Sequence, residues 1–486
     1  MRHSMRSRLH LIIVGALLPP LLAISADEVM VQERIPNDPY FYSKGSWKQN
    51  YPDQWGHLKI GLTPMGTGKS AWDIETGESN PVLVAFIDSG LDYIHPEIAR
   101  RNVWINRKEI SGNGIDDDGN GYVDDLIGWN FIDKNNNPWD NDGHGTFTAG
   151  MVAARTNNGE GIVGINRAVK IMPLRALNFL GRGSASHVVE AIVYAANNGA
   201  RIINVSIEQL EHEKSRALQW AVDHAHKKGV LIVVASGNQG RDTATISPSG
   251  LKRVLTVAAT DTQDKRMGFS NWGKFIRIAA PGEDILSLRA RKTDLLAMAG
   301  SKEYKAGRAF LGSDARYYHT TGTSFAAPFV TGVASLILAK NPRLTNVQVE
   351  RMLLMSADDV ESPGWDQLTG YGRLNARKAL EADPNQYLYA EVHKVAPGRE
   401  GGRTVVQVFG TIMGSHLGSY HLEVGQGENP TTWRKAGQVV GKPVEDGQIG
   451  TLTQADFGSA GKWTIRLVAQ DTKGKQRESR GTLTIK

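Results

Sequence analysis

Over the first three quarters of the chain, apolar residues alternate between two rhythms. Runs of strand length, rich in β-branched residues, occupy Val82 to Ile87, Arg201 to Val205, Val230 to Ala235 and Val254 to Ala259. They are nearly continuous in apolar residues, the pattern of strands covered on both faces in a parallel sheet. Between two of them, Ala217, Leu218, Ala221, Val222 and Ala225 recur at helical spacing, and Gly229 supplies a stop before the next strand. This is a βαβ unit, and it predicts an α/β fold: a mostly parallel sheet flanked by helices.

Around Leu380 to Asn385 the rhythm breaks. Beyond it, short alternating segments (Arg403 to Phe409, His421 to Val424, Lys462 to Val468) stand between glycine-rich turns, which predicts a separate all-β sandwich. The stretch from Tyr420 to Asp471 is also similar to β-sandwich modules appended to bacterial extracellular enzymes. The pattern divides the chain into a removable segment over 1–26, a large α/β domain over 27–382 and an accessory sandwich over 387–486.

The removable segment has a basic start, an apolar run from Leu9 to Leu22, and small residues at Ala23, Ser25 and Ala26. That is the layout of a secretory signal peptide, with cleavage after Ser25 or Ala26. Pro19 and Pro20 interrupt a run already short for spanning a bilayer, so no membrane anchor is expected after cleavage. The mature protein is expected outside the cytoplasm, in a periplasm or the medium. The formal charge of +6 falls to about +3 once Arg2, Arg6 and Arg8 leave with the signal, so no basic face for nucleic acid follows. With 40% hydrophobic and 22% charged residues, a disordered chain is excluded. There is no cysteine, which leaves stability to packing and bound ions.

Three short strings carry candidate chemistry. Asp88 follows the run Val82 to Ile87 directly, and functional groups in open parallel sheets collect at the carboxyl ends of strands. His144 sits between Gly143 and Gly145, which let the backbone turn tightly. Ser324 lies in Gly322-Thr323-Ser324-Phe325-Ala326-Ala327-Pro328, ahead of the apolar run Phe329 to Ala339. The start of a helix there would point free N–H groups at the serine, with Pro328 removing one early hydrogen bond. Taken singly, each string suits a turn, a loop histidine or a helix cap.

Together, and in the order Asp, His, Ser, they resemble the signatures of the subtilisin-like serine proteases, the subtilase family. The resemblance runs from about Ile35 to Leu380 and includes Ala235-Ser236-Gly237-Asn238 and Ala279-Ala280-Pro281-Gly282. It implies a triad of Asp88, His144 and Ser324, polypeptide substrates, and hydrolysis through an acyl-enzyme. It also implies that Asn238 is the side-chain donor of the oxyanion hole, and that substrate backbone is bound between Gly181-Arg182-Gly183 and Ser206-Ile207-Glu208. The family pattern has a glycine where this chain has Glu208. A carboxylate turned into the side-chain pocket there would favour Lys or Arg, whereas one pointing to solvent would narrow the entrance with its stem and select small residues. The competing functional class is a binding or adhesion protein whose protease fold has lost activity and whose sandwich does the recognition.

Between Asp88 and His144 lies an insertion whose spacing is that of a calcium loop. Asp116, Asp118 and Asn120 occupy alternate positions, Gly121 gives the sharp turn, Tyr122 offers a carbonyl and Asp124 a further carboxylate. Ile127 stands where the closing glutamate would be, so Asp125, water or another segment must complete the shell of a structural Ca2+. Only about ten residues separate the signal from the start of the resemblance, too few for the inhibitory prodomain common in this family. The basic stretch Arg289 to Arg316 reads as a solvated surface loop.

Overall fold

The structure, a computed structural model, describes residues 36–63, 69–208, 215–291, 293, 310–312 and 314–485, without the side chains of 438 and 439. The expected signal segment over 1–26 and most of the 289–316 stretch lie outside the described residues. The core is a seven-stranded sheet whose elements alternate with helices along the chain: β1 (Leu83–Asp88), β2 (Trp129–Asn130), α1 (His144–Ala153), β3 (Lys170–Arg175), α2 (Ala185–Asn197), β4 (Ile202–Val205), α3 (Arg216–Lys227), β5 (Leu231–Ala235), β6 (Leu255–Thr260) and β7 (Ile276–Pro281). Every pairing is parallel, in the order β2-β3-β1-β4-β5-β6-β7.

The near-continuous apolar runs are explained by burial on both faces. Along β1, Val84 and Phe86 join one core cluster with Phe147 of α1 and Val330, Val333 and Ile337. The intervening Ala85 and Ile87 join a second cluster with Val188 and Ile192 of α2 and Leu218, Ala221 and Val222 of α3. Successive residues of a strand point to opposite faces, so a strand covered twice has no polar side to display. Helix α3 ends at Lys227, two residues before the left-handed Gly229 (φ 81°).

Helix α4 (Thr323–Lys340) runs through the first cluster and contains Pro328 without breaking. Among the described residues it is the one helix long and apolar enough to cross a membrane, and it is buried in the core. A three-stranded sheet, β8 (Ile285–Leu288), β9 (Phe310–Leu311) and β10 (Tyr317–Thr320), precedes it.

The C-terminal region forms two antiparallel sheets. β11 (Leu388–Glu400), β12 (Arg403–Gly414) and β15 (Val444–Thr453) make one, and β14 (Arg434–Val440), β13 (Leu417–Gln426), β16 (Gly461–Asp471) and β17 (Gln476–Ile485) the other. Val408, Ile412, Leu422, Val424, Ile465 and Leu467 share a third core cluster. The strands are longer than the apolar alternation suggests, because polar residues such as Thr411 and Gln470 continue the ladders past it.

An ion pair with a buried carboxylate ties this region to the central sheet. Arg277 on β7 donates to Glu391 on β11 at 2.8 Å, and Tyr371 and His393 bond the same carboxylate. Trp365, 1% exposed, packs beside Ser479, whose hydroxyl donates to the Trp365 carbonyl.

Candidate active site

Asp88 is the last residue of β1, Ser206 follows β4 and Asn238 follows β5, so three neighbouring strands deliver the site at their carboxyl ends. Asp88 is fully buried. Its carboxylate accepts from the Ser89 N–H at 2.7 Å and from His144 Nδ1 at 2.8 and 2.9 Å, with Thr148 Oγ1 at 3.4 Å.

His144 is the first residue of helix α1. Gly143 precedes it at φ 111°. A side-chain carbon at Gly145 would lie 2.2 Å from the Gly90 carbonyl oxygen, so only glycine lets the start of α1 close onto the turn after Asp88. Asp140, which the sequence reading did not single out, locks that junction. Its buried carboxylate accepts from the N–H groups of Asp142, Gly143 and Thr146, from the Thr146 hydroxyl and from the Ser89 hydroxyl. A carboxylate saturating a helix N-terminus is favourable by both hydrogen bonding and the helix dipole. The signal for it was present in Asp140-Asn141-Asp142, just upstream of the helix.

Burial opposes the charged form of His144, yet the charge and hydrogen bond of Asp88 outweigh it, with Asp142 and Asp140 adding in the same sense. The ring therefore titrates above the ordinary histidine value. Asp142 itself is pushed up to about 6, chiefly by burial.

Ser324 lies in the first turn of α4, where N–H groups lack partners within the helix. Pro328 has no N–H to give to the Ser324 carbonyl one turn back. The Ser206 hydroxyl supplies that bond instead, at 2.9 Å, and the Ser324 hydroxyl donates in return to the Ser206 carbonyl at 3.2 Å. The His144 ring lies 5.5 Å, centroid to centroid, from that of Phe325, the next residue.

Asn238 accepts through its side-chain oxygen from the N–H and hydroxyl of Thr323, at 2.9 and 3.0 Å. That fixes the amide so that its NH2 is the end left to donate. Of the substrate segments, Gly181 to Gly183 lies exposed in the loop before α2, and a side-chain carbon at Gly183 would meet the Ala176 carbonyl oxygen at 2.1 Å. Ile207 packs on the second core cluster. The Glu208 carboxylate bonds the backbone N–H of Asn238 at 2.9 Å.

In the insertion, Asp116 and Asp118 come together with Glu109, and one oxygen from each lies within 4.8 Å of the others. Glu109 was not among the sequence candidates because it precedes the loop. Asp124 is turned to the N–H groups of Gly112 and Gly114, and the Tyr122 ring packs on Trp129, Phe131 and Tyr194. Asn120 gives its side-chain NH2 to Asp125, which also accepts from Asn106 and Tyr194. Asp125 thus anchors the loop to the core.

A buried carboxylate on one imidazole nitrogen, a serine at a helix start and a fixed side-chain amide are parts that a Ser-His-Asp site requires. The profile described as the Subtilase family matches residues 79–372. The chain is 33% identical over 310 residues to the Thermophilic serine proteinase of Bacillus sp. (strain AK1), covering 64% of each chain. It is 31% identical over 348 residues to Thermitase of Thermoactinomyces vulgaris, covering 71% of this chain and 99% of that one. Among solved structures, a protease of Pseudoalteromonas arctica PAMC 21717 superposes with a TM-score of 0.53 at 26% identity, covering 71% of this chain and 98% of the other. The chain belongs to the subtilase family.

Proposed function

We propose that this chain is a secreted serine endopeptidase that cleaves polypeptides through an acyl-enzyme on Ser324. The observation that carries the reading is the convergence of Asp88, His144, Ser324 and Asn238 at one end of the sheet. Substrate adds as a strand beside Ser206, and one of its backbone N–H groups takes the Ser206 carbonyl. That displaces the Ser324 hydroxyl from its resting bond and frees it to turn to His144. His144 accepts the Ser324 proton as the oxygen attacks the scissile carbonyl. Asp88 holds the ring in the tautomer with Nδ1 protonated and stabilises the imidazolium. The oxyanion forms against the Asn238 side-chain NH2 and the Ser324 N–H. His144 then protonates the leaving amine, and water repeats the sequence on the acyl-enzyme.

The proposed chain has three parts: a signal removed after Ser25 or Ala26, a peptidase domain to residue 382 and a sandwich from 387. Structural Ca2+ is part of the same reading. Glu109, Asp116 and Asp118 offer hard oxygen donors close enough to share one ion, which suits Ca2+, and bound there it would hold the insertion; no step of hydrolysis passes through it. Replacing Ser324 by Ala tests the assignment: hydrolysis of a denatured protein should fall by several orders of magnitude with the fold unchanged, whereas hydrolysis at the parent rate would remove Ser324 from the mechanism.

A further inference from the structure

The segment that carries the oxyanion amide leaves none of its backbone N–H groups unaccounted for. Ser236 donates to the Val257 carbonyl and Gly240 to the Phe269 carbonyl. Gly237 donates to the Thr323 hydroxyl, and Gln239 and Arg241 both donate to the side-chain oxygen of Asn271. The remaining donor belongs to Asn238 itself, and its acceptor is Glu208 Oε2 at 2.9 Å. That bond joins the segment after β4, which holds Glu208, to the segment after β5, which holds Asn238.

We propose that Glu208 is a positioning residue for the oxyanion hole, fixing the backbone of Asn238 and through it the aim of the Asn238 side-chain NH2.

Asn238 is then held at both ends, by Thr323 on its side-chain oxygen and by Glu208 on its backbone nitrogen. A glycine at 208, the family pattern, has no side chain to offer, so this brace is a property of this chain. The packing around it is specific. A side-chain carbon at Gly237 (φ 100°) would lie 2.3 Å from Asn271 Nδ2 and 2.6 Å from Glu208 Oε2, so the turn closes only with glycine there. Burial raises the Glu208 carboxyl, while the Asn238 N–H, the Gln239 side chain and Arg241 act in the opposite sense. The second oxygen, Oε1, is buried without a hydrogen bond among the described residues. A carboxylate half-withdrawn from water is retained at a cost, which the charge-assisted bond to Asn238 offsets. With Oε2 committed to the loop, Glu208 works on the rate of the chemical step rather than on the choice of side chain.

The inference rests on the endopeptidase reading, and its test has one arm that does not need activity. In Glu208→Ala, kcat should fall about tenfold or more with KM little changed, equally for peptides with Lys, Leu or Ala before the scissile bond. Glu208→Gln, which keeps an acceptor oxygen, should recover most of that loss. In an Asn238→Ala background the same Glu208→Ala change should cost less than about twofold, because the group it positions is gone. Independently, deuterium exchange at the Asn238 amide should be about tenfold faster in Glu208→Ala than in the parent. Unchanged exchange overturns the proposal whether or not the parent hydrolyses peptides. So does a Glu208→Ala loss confined to KM for Lys and Arg substrates, which would make the residue a pocket anion, or an equal loss with and without Asn238.

Discussion

Removing Glu391 should loosen the sandwich from the central sheet by a calculable amount. The carboxylate is 2% exposed and accepts from Arg277 at 2.8 Å, Tyr371 at 2.6 Å and His393 at 2.8 Å. Burial would raise its titration, but the Arg277 charge and the His393 and Tyr371 bonds prevail and hold it down to about 2. Holding a carboxyl there rather than at its ordinary value of about 4.3 corresponds to about 3 kcal/mol in favour of the ionised form. Glu391→Ala deletes those bonds and leaves the half-buried Arg277 guanidinium with Glu350 at 3.7 Å in place of its nearest counter-charge, a perturbation of about 3 kcal/mol. Urea unfolding at pH 7, followed by circular dichroism and tryptophan fluorescence, should show that loss. Arg277→Met combined with Glu391→Leu should be less destabilised than Glu391→Ala, because no unpaired charge remains. The folded-state value lies below the unfolded one, so the carboxylate's contribution is complete above about pH 4.3 and is lost as the pH falls towards 2. A Glu391→Ala protein within about 1 kcal/mol of the parent at pH 7, or a parent whose stability does not decline over that acid range, would refute the reasoning.

Asp88→Asn should lower kcat by about 10⁴-fold by favouring the wrong His144 tautomer. His144 must be neutral to accept the serine proton and Asp88 holds its titration up, so the acid limb of the parent kcat/KM profile should lie above the ordinary histidine value of about 6.5 and move down in Asp88→Asn; a limb at or below that value in the parent would contradict the electrostatic reading. Ca2+ should raise the melting temperature of the parent and leave that of an Asp116→Ala, Asp118→Ala variant unmoved, and equal rises in both would take the insertion out of consideration.

The central architecture was legible because a doubly covered sheet writes itself as unbroken apolar runs, and β1, β4, β5 and β6 lie within one residue of those runs. The three candidate strings were legible because a left-handed φ at Gly143, close approach of backbone at Gly145 and a helix start at Ser324 demand particular residues at and beside those positions. What stayed hidden depends on contacts between distant segments. Asp140 and Ser89 are ordinary turn residues until the start of α1 meets the turn after β1. Glu109 is a lone carboxylate until the insertion folds back over it. Ser206 and Pro328 look unrelated, yet the hydroxyl of one bonds the carbonyl left free by the other. The bond from Asn238 to Glu208 was hidden because the two residues lie thirty positions apart, one after β4 and the other after β5.

The claim that Ser324 is a nucleophile activated by His144 is met most directly by mass spectrometry of the purified protein after treatment with a fluorophosphonate. The account predicts one adduct per chain, mapped to the peptide containing Ser324, absent from Ser324→Ala and strongly slowed in His144→Ala. A parent protein that takes up no label, or takes it up at another residue with Ser324 unmodified, would contradict it.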